Sequence, residues 1–337
     1  MSADNPDLKT NTDRKLRILV ITAMYPSAEK PFSGTFVKQS VQSLIEAGVD
    51  VEVMAFEGAG SLRNYIKAGG QLRQKLKTGA FDLVHAHYGL TGLPARMQFQ
   101  VPVVITYHGS DLLGEVSTNG KYTTAGRLKV LLGQVLAFLV DGRTVVAPLL
   151  KKTLWHQDAA IIPMGVDMET FKPHPKAEAR SRLELHPERK IVLFLGNPNN
   201  GVKRFDIARA AVDILKKREP NVELLPVFSA PHEDIPYYLS AADTLVLTSN
   251  HEASPCVIKE ALACNLPIVS VDVGDVALRI AGVAGCYLCL QNPADVAEKL
   301  ALALAFGGRT RGREKVASIS LSETARATIK VFRKAIG

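Results

Sequence analysis

Several features are scarce in these 337 residues, and each shortage excludes something. There are four cysteines, Cys256, Cys264, Cys286 and Cys289. That is too few for a disulfide-built scaffold, and Cys286 and Cys289 lack the second close pair that a zinc ribbon needs. The four read as reduced, mostly buried thiols. Aromatics make up 6%, and no stacking motif or recognition module argues for nucleic acid. The longest apolar run, around Val130–Val140, is far short of a membrane span. The opening "MSADNPDLKTNTDRK" lacks the apolar heart of a signal peptide and reads as a disordered tail over 1–15. The first strand is followed by "AMYPSAEKPFSG", which lacks the GxGxxG of a dinucleotide-dependent oxidoreductase. No Asp-x-Asp metal motif occurs.

Acid is also in short supply. Forty-one Lys and Arg against 33 Asp and Glu leave a net charge of +8. The surplus is uneven. Arg63, Lys67, Arg73, Lys75 and Lys77 lie between Glu57 and Asp82 with no acid among them, and Lys121, Arg127 and Lys129 lie beside "VLLGQVLAFLV". This suits an anionic surface such as membrane lipid or phosphorylated carbohydrate, or else marks solvated helix faces.

Short apolar runs alternate with helical patterns. "LRILVIT", "VDVEVMAF", "FDLVHAHYG", "VPVVITYHGSD", "GRTVVAP" and "AAIIPMG" read as strands of a first series. "KIVLFLGN", "VELLPVF", "DTLVLTS" and "PIVSVDV" read as strands of a second. Helices are expected over Gly34–Gly48 and from Arg204, where Phe205, Ala208, Val212 and Leu215 share a face. Continuous Val/Ile/Leu strands between helices mean parallel sheets covered on both sides, here in two α/β domains. The expected division is 16–165, a linker over 166–189, then 190–320. A C-terminal helix, 321–337, is expected to cross back to the first domain.

In such folds ligands sit at the C-terminal ends of strands. His87, His108 to Asp111, Asn197 to Lys203 and Ser249 to Ser254 lie at those ends. In "NHEASPCVIKEALACNLPIVS", Ser254 can cap a helix with Pro255 in its first position, leaving the amides of Cys256, Val257 and Ile258 to hold a phosphate. Glu260 falls about 7–8 Å along the axis from Pro255, roughly the reach from a phosphate across a ribose. Glu252 lies on the other side of the same anion site. Carboxylates so placed accept hydrogen bonds from sugar hydroxyls, or else Glu252 is a loop charge and Glu260 a surface helix charge. His85 and His87 share a face of one strand; His87 reads as a cleft residue and His85 as packing. Asp111 either caps a helix or orients His108.

"HEASPCVIKEALACNLPIVSVDVGD" resembles the E-x7-E segment of the retaining family 4 glycosyltransferases. "ITAMYP…SGTFV", "DLVHAHYG", "VVITYHGSD", "IPMGVDMETFKP", "VKRFDIA" and "YYLSAADTLVLTS" resemble further pieces of that family, in order. The flavour is that of teichuronic-acid and surface-polysaccharide transferases. The resemblance implies a GT-B fold, two Rossmann-like domains with parallel sheets facing a central cleft. It implies that Glu252 contacts the donor sugar, Glu260 the nucleotide ribose and Lys203 the diphosphate. The amides of Ala253, Ser254, Pro255 (a carbonyl only), Cys256 and Val257 match the loop that grips sugar and phosphate. His108 lies over the donor sugar, and Gly34 lets backbone approach the diphosphate or acceptor. Many relatives carry Gly-Arg where this chain has Gly196-Asn197; Arg204 is a candidate replacement for that charge.

The expected activity is transfer of a hexosyl unit from a UDP- or GDP-sugar to an acceptor hydroxyl with retention, without a metal or other cofactor. The partners expected are the nucleotide sugar, a carbohydrate or lipid-linked acceptor and an anionic membrane, and the expected place is cytoplasmic, at the inner face of the plasma membrane. The rivals are another GT-B enzyme, an epimerase or phosphorylase, and a non-catalytic nucleotide-sugar-binding protein.

Overall fold

The computed structural model describes residues 15–30, 33–58, 61–114 and 123–337. The expected tail, apart from Lys15, lies outside the described residues, as does Lys121 of the second basic series.

The first sheet has six parallel strands, β1 (Arg17–Thr22), β2 (Asp50–Ala55), β3 (Leu83–His87), β4 (Val103–Tyr107), β5 (Gly142–Val145) and β6 (Ala160–Ile161), in the order β2-β1-β3-β4-β5-β6. The second has five, β7 (Lys190–Leu195), β8 (Val222–Val227), β9 (Thr244–Leu247), β10 (Ile268–Val271) and β11 (Cys286–Cys289), in the order β11-β10-β9-β7-β8. Strands β3, β4, β5, β9 and β10 are buried along their whole length, which is why they read as unbroken apolar runs rather than as alternation.

Both sheets reverse direction of growth beside their first strand. In the first, β2 lies on one side of β1 and β3 on the other; in the second, β8 and β9 flank β7. Connections leave such a pair on opposite faces, so a crevice opens at the strands' C-terminal ends. That places the loops after β1, β3 and β4 on one side, and those after β7 and β9 on the other. Cys286 and Cys289 are the ends of β11. Residues three apart on a strand point to opposite faces, so the two thiols do not converge on one ion.

The expected helices appear as Thr35–Glu46 and Phe205–Lys216, the latter burying Phe205, Ala208, Val212 and Leu215. The first basic series lies on the helix Leu62–Thr78, where Lys75 forms an ion pair with Glu52 of β2. The chain passes between the sheets twice, at Val166 and at Ser320, and the two passages pair: Val166 N–H donates to Ile319 C=O, and Leu321 N–H donates to Val166 C=O. The final helix, Leu321–Ile336, then packs Ala325 and Phe332 against Ile18, Val20, Val37 and Leu44 of the first unit. Phe332 is fully buried, worth about 1.5–3 kcal/mol of apolar transfer.

Candidate functional site

On the first sheet the site begins with histidine. His85 and His87 share a face of β3, with ring centroids 4.3 Å apart, and His87 stacks on His108 at 5.2 Å. His87 Nδ1 and His108 Nε2 are 3.0 Å apart, and His85 Nε2 lies 2.7 Å from the Thr106 hydroxyl. Burial holds all three rings neutral, His87 down to about 3 and the other two well below the usual range. A small cavity of about 20 Å³ lies beside His85 and His87, room for one water. His85 Nδ1 and His87 Nε2 are buried with no protein partner.

Asp111 settles the choice left open above. Its buried carboxylate accepts from the amides of Gly89, His108 and Gly109 at 3.1, 3.0 and 2.7 Å. It therefore binds the loops after β3 and β4 together and sets His108 through its backbone. Burial pushes this carboxyl up, and the three amides oppose that. Tyr88, next to His87, has φ 75, a region side chains rarely adopt. Gly34 has φ 66, and a Cβ there would lie 2.3 Å from the Met24 carbonyl; only glycine fits that approach. Phe36, two residues on, brings its ring 5.1 Å from His108.

On the second sheet, the loop after β9 enters the helix Cys256–Ala263. The expected cap is corrected. Pro255, with φ −64 and ψ 120, is the N-cap, and no side chain caps the helix. The Ser254 hydroxyl is committed elsewhere: it donates to Asp275 Oδ2 at 2.9 Å and accepts from Lys259 Nζ at 3.2 Å. Charged partners outbid an amide for a hydroxyl. The amides of Cys256 and Val257 still open the helix with no carbonyl one turn ahead of them in the helix, but the expected third, that of Ile258, is taken by the Pro255 carbonyl at 3.3 Å. Burial pushes the Glu260 carboxyl up to about 7, with the neighbouring Lys259 opposing, and it also raises the Cys256 thiol.

Lys203, after β7, reaches Glu252 with Nζ 2.6 Å from Oε1. Its stem lies over Gly196. Arg204 sits beside it in a left-handed conformation, φ 50, and its guanidinium forks onto Asp206 at 2.9 and 2.8 Å. Asn197 accepts from the Asn199 amide at 2.9 Å and so shapes its own loop. Lys203 is thus the cation at Glu252, Asn197 is occupied in its own loop, and Arg204 divides between Asp206 and the Asn250 side chain, 3.4 Å away in the loop after β9.

The two sides touch. A Cβ on Gly109 would come 2.8 Å from Ala253 Cβ, so the loops of β4 and β9 meet there. Gln39 Nε2 and His232 Nε2 are 3.1 Å apart. Lys259, 1% exposed, donates to the Met164 carbonyl at 2.9 Å, tying the Cys256–Ala263 helix to the segment after β6. Sequence reasoning missed Lys259, Gly274 and Asp275. The available signals were a lysine inside "VIKEALA" and a Gly-Asp pair closing "VSVDVGD". Among the described residues no three His, Cys, Asp or Glu are grouped to share a metal ion.

The arrangement is that of GT-B glycosyltransferases: two parallel sheets, a crevice between their strand ends, and an acid-lysine pair at a helix start. Solved structures bear out the fold. Sucrose-phosphate synthase of Thermosynechococcus elongatus superposes with a TM-score of 0.77 at 19% identity, over 95% of this chain and 99% of that one. The Anabaena protein HepE, solved in complex with UDP, gives 0.69 at 15%, over 94% and 100%. The Glycosyltransferase Family 4 model matches residues 33–170, and the Glycosyl transferases group 1 model matches 220–305. The chain is 25% identical to the putative teichuronic acid biosynthesis glycosyltransferase TuaC of Bacillus subtilis, over 78% of this chain and 82% of the relative. It is 26% identical to D-inositol 3-phosphate glycosyltransferase of Frankia alni, over 77% and 75%. Residues 33–170 form a Glycosyltransferase Family 4 domain and residues 220–305 a Glycosyl transferases group 1 domain, and the chain is a transferase enzyme.

Proposed function

We propose that this enzyme transfers a hexosyl unit from a UDP- or GDP-sugar to an acceptor hydroxyl with retention, in the synthesis of a cell-surface polysaccharide or glycolipid. The segment 190–320 serves as the nucleotide-sugar domain and 16–165 as the acceptor-side domain. The observation that carries the reading is the Lys203–Glu252 pair, set at the start of the Cys256–Ala263 helix and opposite the His108 loop.

Departure of a nucleoside diphosphate builds negative charge on the phosphate. Lys203 moves from Glu252 onto that charge, and the Cys256 and Val257 amides receive it at the helix start. These supply the neutralisation without calling for a metal. Glu252, released, accepts from donor-sugar hydroxyls, and Glu260 accepts from the ribose. Neutral His108, fixed by Asp111 and His87, presents a hydrogen-bonding ring to the sugar rather than a charge. No side chain is assigned as nucleophile; the acceptor attacks the face the diphosphate leaves, and the leaving phosphate takes its proton. Contact between Gly109 and Ala253 keeps out water that would hydrolyse the donor.

Thermal stabilisation by UDP-, GDP- and ADP-sugars, followed by NMR of the product's anomeric centre, tests the reading. An inverted product, or full transfer by Glu252→Ala, would overturn it. Turnover of the donor with no acceptor present would favour an epimerase.

A further inference from the structure

The helix Thr124–Leu139 buries one face and leaves an apolar stripe on the other. Gly126, Gly133, Gln134, Leu136 and Ala137 are buried. Leu128, Leu131, Leu132, Val135, Phe138 and Leu139 lie between 37% and 58% exposed. Their spacing of three and four residues puts these six on one continuous side of the helix. Single exposed apolar residues are ordinary, but a stripe three turns long of large side chains marks a surface that is covered in use.

The charge around the stripe says by what. No acid occurs between residues 123 and 140, and the helix itself carries Arg127 and Lys129. Lys151 and Lys152 close the adjacent helix Pro148–Thr153. Trp155 follows, 58% exposed, with its amide donating to the Gln134 side chain at 2.8 Å. The bordering acids are already engaged, Asp141 with Arg96 and Asp158 with Lys334. Apolar side chains, an indole and a fringe of cations are what an interfacial helix offers to anionic lipid. A second copy of this chain fits less well, since pairing two such faces would bring like charges together.

We infer that the solvent face of the Thr124–Leu139 helix docks on an anionic membrane surface. This rests on the reading of a transferase that serves a cell-surface polysaccharide or glycolipid, and it sharpens that reading by naming the face that approaches the lipid. The helix is joined to the acceptor side of the site. Tyr107 O–H donates to the Gly133 carbonyl at 2.9 Å, and a Cβ on Gly133 would lie 3.2 Å from the Asp111 carbonyl. A membrane seated on the stripe is therefore one helix thickness from the loop that carries His108, about 10 Å.

The full chain is sedimented with phosphatidylcholine vesicles with and without phosphatidylglycerol, at about 50 and about 500 mM salt. Expected is partition onto the anionic vesicles at low salt, weakened by salt and by omission of phosphatidylglycerol. The double variant Leu131→Gln/Phe138→Gln and the double variant Arg127→Glu/Lys152→Glu should each weaken it at least about ten-fold with unchanged melting. Leu302→Gln, 47% exposed on a helix of the second unit, should leave it intact. No partition at low salt, partition of the stripe variant equal to the parent, or equal partition onto neutral vesicles would overturn the inference. So would a dimer in sedimentation velocity that the stripe variant dissolves. Nucleotide-sugar stabilisation is read on the same samples: its absence in the parent sinks the transfer reading, whereas its survival in a chain that ignores vesicles sinks only the docking.

Discussion

Lys203 Nζ lies 2.6 Å from Glu252 Oε1, a pair only 26% and 18% exposed at the start of the donor-side helix. Without donor, each neutralises the other. In the proposed mechanism the lysine goes to the donor's phosphate and the carboxylate to its sugar, so the pair competes with binding. Glu252→Gln should therefore tighten binding of the free nucleoside diphosphate by about two- to five-fold, the worth of a partly exposed ion pair. The same change should slow transfer by about 10²–10³, the usual loss for one preorganised group at the reacting centre. Lys203→Met should weaken both. Calorimetry with the diphosphate beside transfer kinetics separates the two effects; unchanged diphosphate affinity in Glu252→Gln would show that the pair does not compete.

Glu260 predicts a pH dependence. Burial holds its carboxyl at about 7, with Lys259 opposing, while in the unfolded chain it titrates near the ordinary value of about 4.3. Between those two values the folded protein keeps a proton that the unfolded chain has lost. This group's contribution therefore favours folding as pH falls through 7 and disfavours it as pH rises. The ionised carboxylate accepts a ribose hydroxyl more strongly than the protonated one does, so nucleotide affinity should run the other way. It should fall by up to about ten-fold per pH unit below 7. Glu260→Gln should bind nucleotide more weakly and without that slope, as nucleotide titrations from pH 5.5 to 8 would show.

Much of this was readable before the fold was known, for physical reasons. Strands buried on both faces leave uninterrupted apolar runs, and the order of helices and strands puts polar strand ends at one crevice. Hence His87, His108, Lys203 and Glu252 stand out. What was hidden depends on which partner each side chain takes in the fold. Ser254 reads as a cap until Asp275, 21 residues on, takes its hydroxyl. Arg204 reads as a spare cation until its own neighbour Asp206 is seen to fold back onto it. The helix Thr124–Leu139 reads as an apolar run beside basic residues, but the run does not reveal which of its faces is covered.

Gly274 should control the donor loop. It has φ +60, and a Cβ there would lie 2.4 Å from the Ala253 carbonyl and 2.9 Å from that of Glu252. Gly274→Ala must move the backbone that carries Glu252, so the donor KM should rise at least about ten-fold. The left-handed backbone alone costs about 1 kcal/mol, and Gly282→Ala supplies the control. Gly282 has φ +74 but open space around its Cβ position. Gly282→Ala should lose a few degrees of melting temperature and keep its donor affinity, whereas Gly274→Ala, with the added backbone clash, should lose more and should lose donor affinity. Equal kinetics in the two would assign Gly274 to folding alone.

Lys259 joins the two sides of the crevice. Its buried ammonium holds the Met164 carbonyl and the Ser254 hydroxyl, and its charge helps to hold the His108 ring neutral. Lys259→Met keeps the stem and removes the charge. The Met164 carbonyl then loses its donor, a cost of about 1–3 kcal/mol, or a fall in melting temperature of about 2–4 °C per kcal/mol. A merely structural lysine would do no more than that. A positioning lysine should also let the donor loop drift, raising donor KM more than it lowers kcat, and should move the His108 titration upward, since one repelling charge has gone. Histidine NMR across pH reads this directly. The ring should gain its proton at a higher pH in Lys259→Met than in the parent, and an unmoved His108 with an unmoved KM would reduce Lys259 to a packing residue.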